Sequence, residues 1–423
     1  MHEPSRRQLL RTGVVAAGIG AIAGCLGGGG NGGDSRNGNP DDGTNETGAE
    51  TEGESDDDTS DTDRKNRTDG TGGSDENEGG EDAGTRGDES DDAEDGGYSV
   101  TMEPVGEVEF EAIPETWLSY TGDYADMGVA LGQGDGLSAV GVRARFGSHL
   151  YEELPGVSVE DDDLTELYQN GTGKEVFHEL DADVHLIDPN FMVNRLQWSE
   201  SDVEKIAQTV GPFVGNTIFS RVYDWHDYPH YTLYEAFETV AEVFGERERY
   251  EAFAAYHDEV LADVRGRLPE ETPDVAVVYP ADVPPESFYP YRIGEGTQSK
   301  HWTDLEVGDA LADVTDAQAG GGEIDYETLL EIDPDALAIR LQGAVTPDYF
   351  EREIVSHLES HDVASRLRAV SEGRVVYGGL TYQGPIIHLF QLERAARDLY
   401  PDSFGGGQLF DRERVAGIVT GDA

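Results

Sequence analysis

The feature that most constrains the fold is a long stretch in the middle of the chain that keeps helical periodicity with no strand inside it. From Thr232 to Leu268 the apolar side chains recur at the spacing of amphipathic helices. Gly245 predicts a break between two helices, because glycine favours helix ends. The second helix, predicted at about Glu246 to Leu268, would run roughly 34 Å at 1.5 Å per residue. A helix of that length connects two lobes rather than packing within one.

On both sides of this stretch, short apolar runs alternate with helical segments, as in α/β proteins with parallel sheets. Strands are predicted at Val108–Ala112, Trp117–Tyr120, Ser138–Val142, Val184–Asp188, Pro212–Gly215, Val275–Tyr279, Ala336–Leu341 and Val375–Tyr377. The folded part, from Tyr98 onward, is long enough for two lobes. The predicted divisions are an N-terminal lobe at 98–245, a linker helix at 246–268, a C-terminal lobe at 269–402 and a C-terminal tail at 403–423.

The first 24 residues have the order of an export signal rather than of an element of the fold. A polar leader containing Arg6 and Arg7 precedes an apolar run that is too short to span a bilayer. The leader "SRRQLL" resembles the twin-arginine type, and "IAGC" resembles a lipobox, whose cysteine receives a lipid and becomes the new N-terminus. Cys25, the single cysteine, is therefore the expected lipidation site. The alternative is an ordinary buried cysteine.

From residue 25 to 97 the chain is Gly, Asp, Glu, Ser, Thr and Asn with almost nothing apolar, so we expect a disordered acidic tether. An acidic interaction tail is the alternative. The whole chain holds 88 Asp and Glu against 29 Lys and Arg, a formal charge of −59. Near molar salt, where the Debye length is about 3 Å, such a charge is screened, which favours a salt-adapted extracytoplasmic protein. The same charge argues against nucleic acid as a partner, since that needs a basic face.

Two segments of the chain share one form. "GKEVFHELDADVHLIDP" and "IDYETLLEIDPDALAIR" each combine a short helix with a glutamate in its first turn, an Asp-rich turn and an apolar strand. They resemble "LExLLxLxPDxV", which occurs once per lobe in substrate-binding proteins of iron-siderophore, haem and cobalamin ABC importers. The opening "VGEVEFEAIPETWLSYTGDYADMGVALG" and the ending "EGRVVYGGLTYQGP" also look like that family's first and last strands, so the resemblance spans nearly all of 98–402.

The resemblance implies two Rossmann-like α/β lobes with parallel sheets, joined by a single long α-helix, with a ligand cleft between the lobes. It implies a lipid-anchored binding protein, a monomer without a cofactor, on the extracytoplasmic face of the cell membrane. Its ligand would be a ferric chelate (siderophore) or a cobalamin or haem-type compound, delivered to an ABC transporter permease and its ATPase. Family members dock through one glutamate per lobe, which carried over by position are Glu175 and Glu327. The alternative is that both are surface glutamates favoured by the helix dipole.

Ligands of open α/β sheets gather beyond the carboxyl ends of the strands, which selects a small set of loops. Aromatic rings with polar tips suit a large ligand, and arginine suits carboxylate or phosphate. The candidate ligand-binding residues are Tyr120, Thr121, Asn190, Arg221, Tyr223, Trp225, Tyr289, Arg292, Trp302, Arg340 and Tyr382. Arginines kept in such loops against an acidic composition favour an anionic chelate, with Arg292 as its leading contact. The alternative is that each arginine pairs with a nearby acid.

Two other functions, a free metal-ion binding protein and an enzyme, have their own sequence signatures. A zinc or manganese binding protein would bring several histidines into the cleft, and only His226 and His230 share a candidate loop. An enzyme is not indicated, because the sequence has no Gly-x-Ser-x-Gly elbow, no His-Glu-x-x-His and no P-loop. No catalytic residue and no metal ligand is therefore predicted.

Overall fold

The computed structural model describes residues 97–169, 171–317 and 322–422. The predicted export signal, the lipidation site Cys25 and the acidic tether lie outside the described residues. Within these ranges, no helix combines the length and the apolar character that crossing a membrane would require.

The N-terminal lobe is built on a sheet of four parallel strands. The strands of this lobe are the hairpin β1 (Tyr98–Met102) and β2 (Gly106–Phe110), then β3 (Trp117–Ser119), β4 (Leu137–Val140), β5 (Thr165–Glu166) and β6 (Val184–Leu186). The sheet order is β5-β4-β3-β6, and all three pairings are parallel. Its helices are α1 (Gly122–Ala130), α2 (Glu175–Leu180), α3 (Pro189–Leu196), α4 (Glu200–Thr209) and α5 (Leu233–Phe244). Apolar side chains on β3, β4 and β6 are buried, as expected of a sheet covered on both faces.

After the linker helix α6 (Arg247–Arg267), the C-terminal lobe carries a five-stranded mixed sheet. Its strands are β7 (Asp274–Pro280), β8 (Phe288–Tyr291), β9 (Gly308–Asp309), β10 (Ala336–Ile339) and β11 (Val375–Tyr377). The path β11-β10-β7 is parallel, β9 pairs in parallel with the start of β7, and β8 is antiparallel to β7. Its helices are α7 (Lys300–Asp304), α8 (Ala312–Ala317), α9 (Tyr326–Ile332), α10 (Pro347–Phe350), α11 (Ser356–Ser360), α12 (Arg368–Ser371), α13 (Pro385–Leu399), α14 (Pro401–Phe404) and α15 (Arg412–Thr420).

Helix α6, at Arg247–Arg267, lies where the sequence predicts a helix at 246–268. Thr232 begins α5 with a capping box, and Gly245 ends it in the left-handed conformation with φ of 66°, which glycine adopts without strain. Helix α6 then buries one apolar side against α5, α7, α13 and α15. The predicted C-terminal tail contains α15, whose Val415 and Ile418 are buried, so this segment is part of the packed structure.

Two strand predictions differ from the structure. The run Pro212–Gly215 forms only an isolated bridge, in which Phe213 pairs with His185. The predicted strand at Val108–Ala112 belongs to the hairpin β1–β2 rather than to the parallel sheet. The short strands β5, β8 and β9 have no counterpart in the sequence prediction, because they are two to four residues long and carry little periodicity.

Both lobes contain the same helix-turn-strand unit. Helices α2 and α9 end at Asp181 and Asp333, each in the left-handed conformation, with φ of 48° and 50°. The next aspartates, Asp183 and Asp335, each accept a backbone N–H from the segment that opens the neighbouring strand, β3 or β7. The two units therefore align residue for residue, and this alignment places Asp188 of the N-terminal lobe and Arg340 of the C-terminal lobe at the same position after the strand.

Candidate ligand cleft between the lobes

The N-terminal lobe presents a continuous row of aromatic rings beyond its strand ends. Tyr120 packs on Phe191 with ring centroids 5.4 Å apart, and Phe191 packs on Phe219 at 5.9 Å. Phe219 then contacts Tyr223 at 5.9 Å, and Tyr223 stacks on Trp225 at 5.0 Å. Tyr223 and Trp225 are partly exposed, so this end of the row offers flat apolar surface to a ligand.

The carboxylate of Asp188 lies just after strand β6 and accepts four hydrogen bonds. Its Oδ2 accepts from Thr217 N at 2.8 Å, from Thr217 Oγ1 at 2.7 Å and from the Tyr228 hydroxyl at 2.6 Å. Its Oδ1 accepts from the backbone N–H of Asn190 at 2.9 Å, which begins helix α3. Burial raises the pKa of this carboxyl, and the four hydrogen bonds oppose the rise. Asp188 is thus a structural anchor, and Asn190 is held beside it.

The guanidinium of Arg340, at the matching position of the C-terminal lobe, has no such complement. The residue is 2 % exposed, its Nε donates to Gly378 O at 3.4 Å, and its Nη2 donates to Gln298 O. Its third nitrogen, Nη1, has no hydrogen-bond partner, and no carboxylate pairs with Arg340 in the part of the chain that the structure describes. The ring of Tyr291 lies 4.7 Å from the guanidinium carbon. Burial lowers the pKa of Arg340 to about 10, so it stays charged at neutral pH.

The lobes touch along a seam that runs beside these groups. Tyr382, which follows the last strand of the C-terminal lobe, packs edge-on against Phe219 of the N-terminal lobe at 5.1 Å. The backbone N–H groups of Thr297 and Gln298 donate to Ile218 O and Phe219 O at 3.0 and 3.2 Å. Because Gln298 also accepts from Arg340, the seam connects the buried guanidinium directly to the aromatic row.

A pair of buried carboxylates on α1 holds the seam at a second place. Asp126 Oδ2 accepts the backbone N–H groups of Ile386 and Ile387 at the start of α13, at 2.8 and 2.9 Å. Its Oδ1 accepts from the Tyr151 hydroxyl at 2.6 Å. Burial raises the pKa of Asp126 to about 7 and that of Asp123 to about 6. An N-terminal-lobe carboxylate thus caps a C-terminal-lobe helix, in the place that favours negative charge.

The structure places the remaining predicted residues in different settings. Thr121 precedes α1 and lines a cavity of about 10 Å³ together with Tyr120, Asp188 and Phe191. Arg221 lies 3.6 Å from the carboxylate of Glu295 in the other lobe, so this ion pair bridges the lobes. Pairing with a nearby acid was the alternative considered for each arginine.

Three of the predicted ligand-binding residues on the C-terminal side lie in different settings and do not form one wall of the cleft. Tyr289 donates to Glu323 at 2.9 Å. Arg292, the predicted leading contact, is exposed, whereas Arg340 is buried. Trp302, on α7, is fully buried in the core and therefore offers no surface to a ligand in this conformation. A loop aromatic and a core aromatic look alike in sequence, because burial depends on contacts distant along the chain.

One strand-end arginine was missed. Arg145 follows β4 within "RARFGS", and its Nε lies 2.8 Å from the side-chain amide of Gln342 in the other lobe. Beside it, Gly343 N donates to Ala144 O at 2.7 Å. The basic pair directly after a predicted strand was the available signal, since the strand-end argument applies to this loop as to the others.

The rings of His226 and His230 lie with centroids 3.7 Å apart, tilted by 39°, in the loop before α5. Burial lowers the pKa of His226 to about 4 and also lowers that of His230, so both rings are neutral at pH 7. Within the described ranges, no group of three or more His, Cys, Asp or Glu side chains is arranged to hold a metal ion.

Glu175 and Glu327 occupy equivalent surface positions. Each is exposed in the first turn of its helix, α2 or α9. Each helix leads directly into a strand, β6 or β10, and therefore begins at the edge of the sheet where the parallel strands end. Both glutamates thus stand on the cleft-side edge of their own lobe.

Comparison with known proteins agrees with this architecture. The family model described as periplasmic binding protein matches residues 119–380, more than half of the chain. A periplasmic binding protein from Veillonella parvula superposes with a TM-score of 0.53 at 16% identity, covering 72% of this chain and 98% of that one. No curated protein matches the sequence.

Two further solved structures share the fold. The petrobactin-binding protein YclQ from Bacillus subtilis has a TM-score of 0.51 at 14% identity, covering 72% of this chain and 99% of its own. CeuE of Helicobacter pylori with bound Ni(II) has a TM-score of 0.51 at 12% identity, covering 77% and 96%. At such identities the likeness concerns the fold and leaves the ligand of this chain to its own residues.

Proposed function

Because this chain belongs to the periplasmic binding protein family, we propose that it is an extracytoplasmic solute-binding protein that captures a ferric chelate or a cobalamin or haem-type ligand for an ABC importer. YclQ, of the same fold, is a petrobactin-binding protein, and another neighbour, HmuT, is a haem-binding protein. Ligands of open α/β sheets gather beyond the strand ends, and here those ends carry the aromatic row and the arginines, which supports a ligand between the lobes.

The observation that carries the choice of ligand is the uncompensated charge of Arg340. A buried ion without a counter-ion is costly, so a site of this kind is completed by an anion. The chain has 88 acidic residues, yet none of those that the structure describes pairs with Arg340, which sets this arginine apart from the paired ones. Carboxylate or catecholate oxygens of an anionic ferric chelate would supply the missing acceptors, and the rings of Tyr223 and Trp225 would cover its apolar parts.

Access to Arg340 follows from the seam. Arg340 donates to Gln298 O, the Gln298 N–H donates to Phe219 O, and Phe219 contacts Tyr382 across the seam. A small parting of the lobes at Tyr382 would open that path, while the linker helix α6 keeps the lobes in register. Family members of this type are expected to open slightly rather than by a wide hinge.

Ligand titration tests the proposal. The purified protein, in molar salt, is titrated with an anionic ferric chelate, a neutral ferric trihydroxamate, haem and a cobalamin by tryptophan quenching. Arg340→Gln should weaken the anionic chelate by about 1.5–3 kcal/mol, the range of a charge-assisted hydrogen bond, and leave the neutral one unchanged. Arg292→Gln, on the exposed loop, is the matched control and should have the smaller effect. Absence of binding to every ligand refutes the function, whereas equal losses in both arginine variants refute only the role of Arg340.

Delivery to a permease rests on Glu175 and Glu327. Both lie on the cleft-side edges of their lobes, where they can pair with arginines of a membrane partner. Reversing both charges, by Glu175→Arg with Glu327→Arg, should abolish uptake in cells while leaving ligand affinity intact. Reversal at two exposed acids elsewhere, Glu204 and Glu359, is the control. Anchoring through a lipid on Cys25 belongs to the same proposal, and mass spectrometry of the mature N-terminus tests it.

A further inference from the structure

The arginines that lie over aromatic rings fall into two groups. Among the described residues, seven arginines place their guanidinium carbon within 5.8 Å of a ring centroid. Five of them also have a nitrogen within 4.0 Å of a carboxylate, namely Arg267, Arg352, Arg394, Arg412 and Arg414. The other two, Arg195 and Arg340, have no carboxylate partner in the same ranges. In a chain with 88 acidic residues, this difference singles out two arginines.

These two arginines follow strand ends, one in each lobe. Arg340 comes directly after β10, and Arg195 lies in the last turn of α3, the helix that follows β6. Asp188 fixes the start of α3 at that strand end, because its carboxylate accepts the backbone N–H of Asn190 at 2.9 Å. Ligands of open α/β sheets gather beyond the carboxyl ends of the strands. Both guanidinium groups are therefore on the ligand side of their own lobes.

Arg195 is held at the exposed end of the aromatic row. Its guanidinium carbon lies 5.3 Å from the ring centroid of Tyr223, which stacks on Trp225 at 5.0 Å. The side chain is partly exposed, and its Nε has no hydrogen-bond partner. A guanidinium that lies over a ring keeps its N–H donors in its own plane, so it can still bind an anionic oxygen edge-on. A basic residue in the last turn also suits the helix dipole, but the dipole does not account for the contact with Tyr223.

We infer that Arg195 is a second anion contact of the cleft, on the N-terminal lobe, and that the ligand is a chelate with at least two separate anionic groups. This inference rests on the proposed function. One anionic group completes the buried guanidinium of Arg340, and another binds the partly exposed guanidinium of Arg195. A ferric tricatecholate, whose charge is spread over three groups around the iron, meets both arginines. A chelate with one carboxylate meets only Arg340.

Three ferric chelates of different charge provide the test: a tricatecholate, a trihydroxamate with one pendant carboxylate, and an uncharged trihydroxamate. Their affinities for the purified protein are measured by tryptophan quenching in molar salt. Arg195→Gln should weaken the tricatecholate about three- to tenfold and leave the other two chelates unchanged. Arg340→Gln should weaken both charged chelates by at least about tenfold. The double variant should combine the two losses on the tricatecholate, because the arginines bind different groups.

Arg352→Gln is the matched control. Arg352 also lies over a tyrosine, Tyr349 at 5.8 Å, but it pairs with Glu353 at 2.7 Å, so its replacement should leave all three affinities unchanged. A salt series adds a second readout. As the salt is lowered, the loss caused by Arg195→Gln should grow more than the loss caused by Arg340→Gln, because screening acts mainly on exposed charges.

The outcomes separate this inference from the proposed function. If the tricatecholate binds the wild type and Arg195→Gln equally well, or if Arg195→Gln weakens the three chelates alike, the role of Arg195 is overturned while the binding function stands. If none of the chelates binds the wild type, the proposed function itself fails. Thermal melts of each variant, together with its affinity for the uncharged chelate, identify a variant that has lost its fold.

Discussion

Asp188 and Arg340 follow equivalent strands in the two lobes, yet their surroundings are opposite. The carboxylate of Asp188 receives four hydrogen bonds, three of them from Thr217 and Tyr228, whereas the guanidinium of Arg340 meets two carbonyls and leaves one nitrogen unpaired. Both residues are buried. The same backbone position therefore holds a fully hydrogen-bonded carboxylate in one lobe and an incompletely paired guanidinium in the other, which is why the proposed contact with an anionic group of the ligand lies on the C-terminal side.

The largest expected difference between Asp188 and Arg340 is in how their replacement changes the free energy of unfolding. Asp188→Ala leaves the Thr217 and Tyr228 donors buried without an acceptor, and should lower the free energy of unfolding by about 3–5 kcal/mol. Arg340→Met removes a buried charge that no carboxylate of the described residues balances, at the loss of two hydrogen bonds and of the contact with Tyr291, and should change the free energy of unfolding by less than about 1 kcal/mol or raise it. Denaturant unfolding in molar salt measures both. Equal destabilisation by the two variants would mean that Arg340 is as structural as Asp188.

A third buried group, Asp126, should make the free energy of unfolding depend on pH, which neither Asp188 nor Arg340 is expected to do as strongly near neutral pH. Its pKa, raised to about 7, lies above the usual value of a carboxyl, so the folded state binds the proton more tightly than the unfolded chain. The resulting stability is present in full below about pH 4 and is lost as the pH rises through 7, on the order of 4 kcal/mol. Asp123, with a pKa of about 6, acts in the same direction.

The matched variants for this titration are Asp126→Asn, which keeps an oxygen acceptor for the start of α13, and Asp362→Asn at an exposed site. Asp126→Asn should flatten the loss of stability between pH 5 and 8, and Asp362→Asn should follow the wild type. Thermal melts across that range, in molar salt to screen the general repulsion, provide the measurement. Parallel curves for all three proteins would show that Asp126 does not titrate there.

A secondary-structure element can be predicted from the sequence when the residues that determine it are close together along the chain. The linker helix was predicted within one residue at either end, because its apolar period and Gly245 act within a few turns. The strand β8 was missed, because its sequence FYPY contains a proline and pairs only along one edge of β7.

The candidate site was less predictable than the fold. The strand-end rule selected Tyr120, Arg340 and Tyr382, which lie at the seam. It also selected Arg292 and Trp302, one exposed and one in the core. The difference between Asp188 and Arg340 depends on Thr217 and Gln298, which come from other loops, so the local sequence around each strand does not contain it.

The smallest expected effect concerns two glutamates that occupy the same position in the two lobes. Glu175 and Glu327 occupy the same place at the start of α2 and α9, and both are exposed. Exposed ion pairs contribute about 0.2–1 kcal/mol each, and molar salt screens them further. Glu175→Gln and Glu327→Gln should therefore each weaken association with the permease by only about two- to fivefold, equally for the two lobes, and more strongly as the salt is lowered. Binding to permease reconstituted in nanodiscs, measured over a salt series, gives both slopes. A strong effect of one glutamate alone would show that the lobes differ at the docking surface as they do at Asp188 and Arg340.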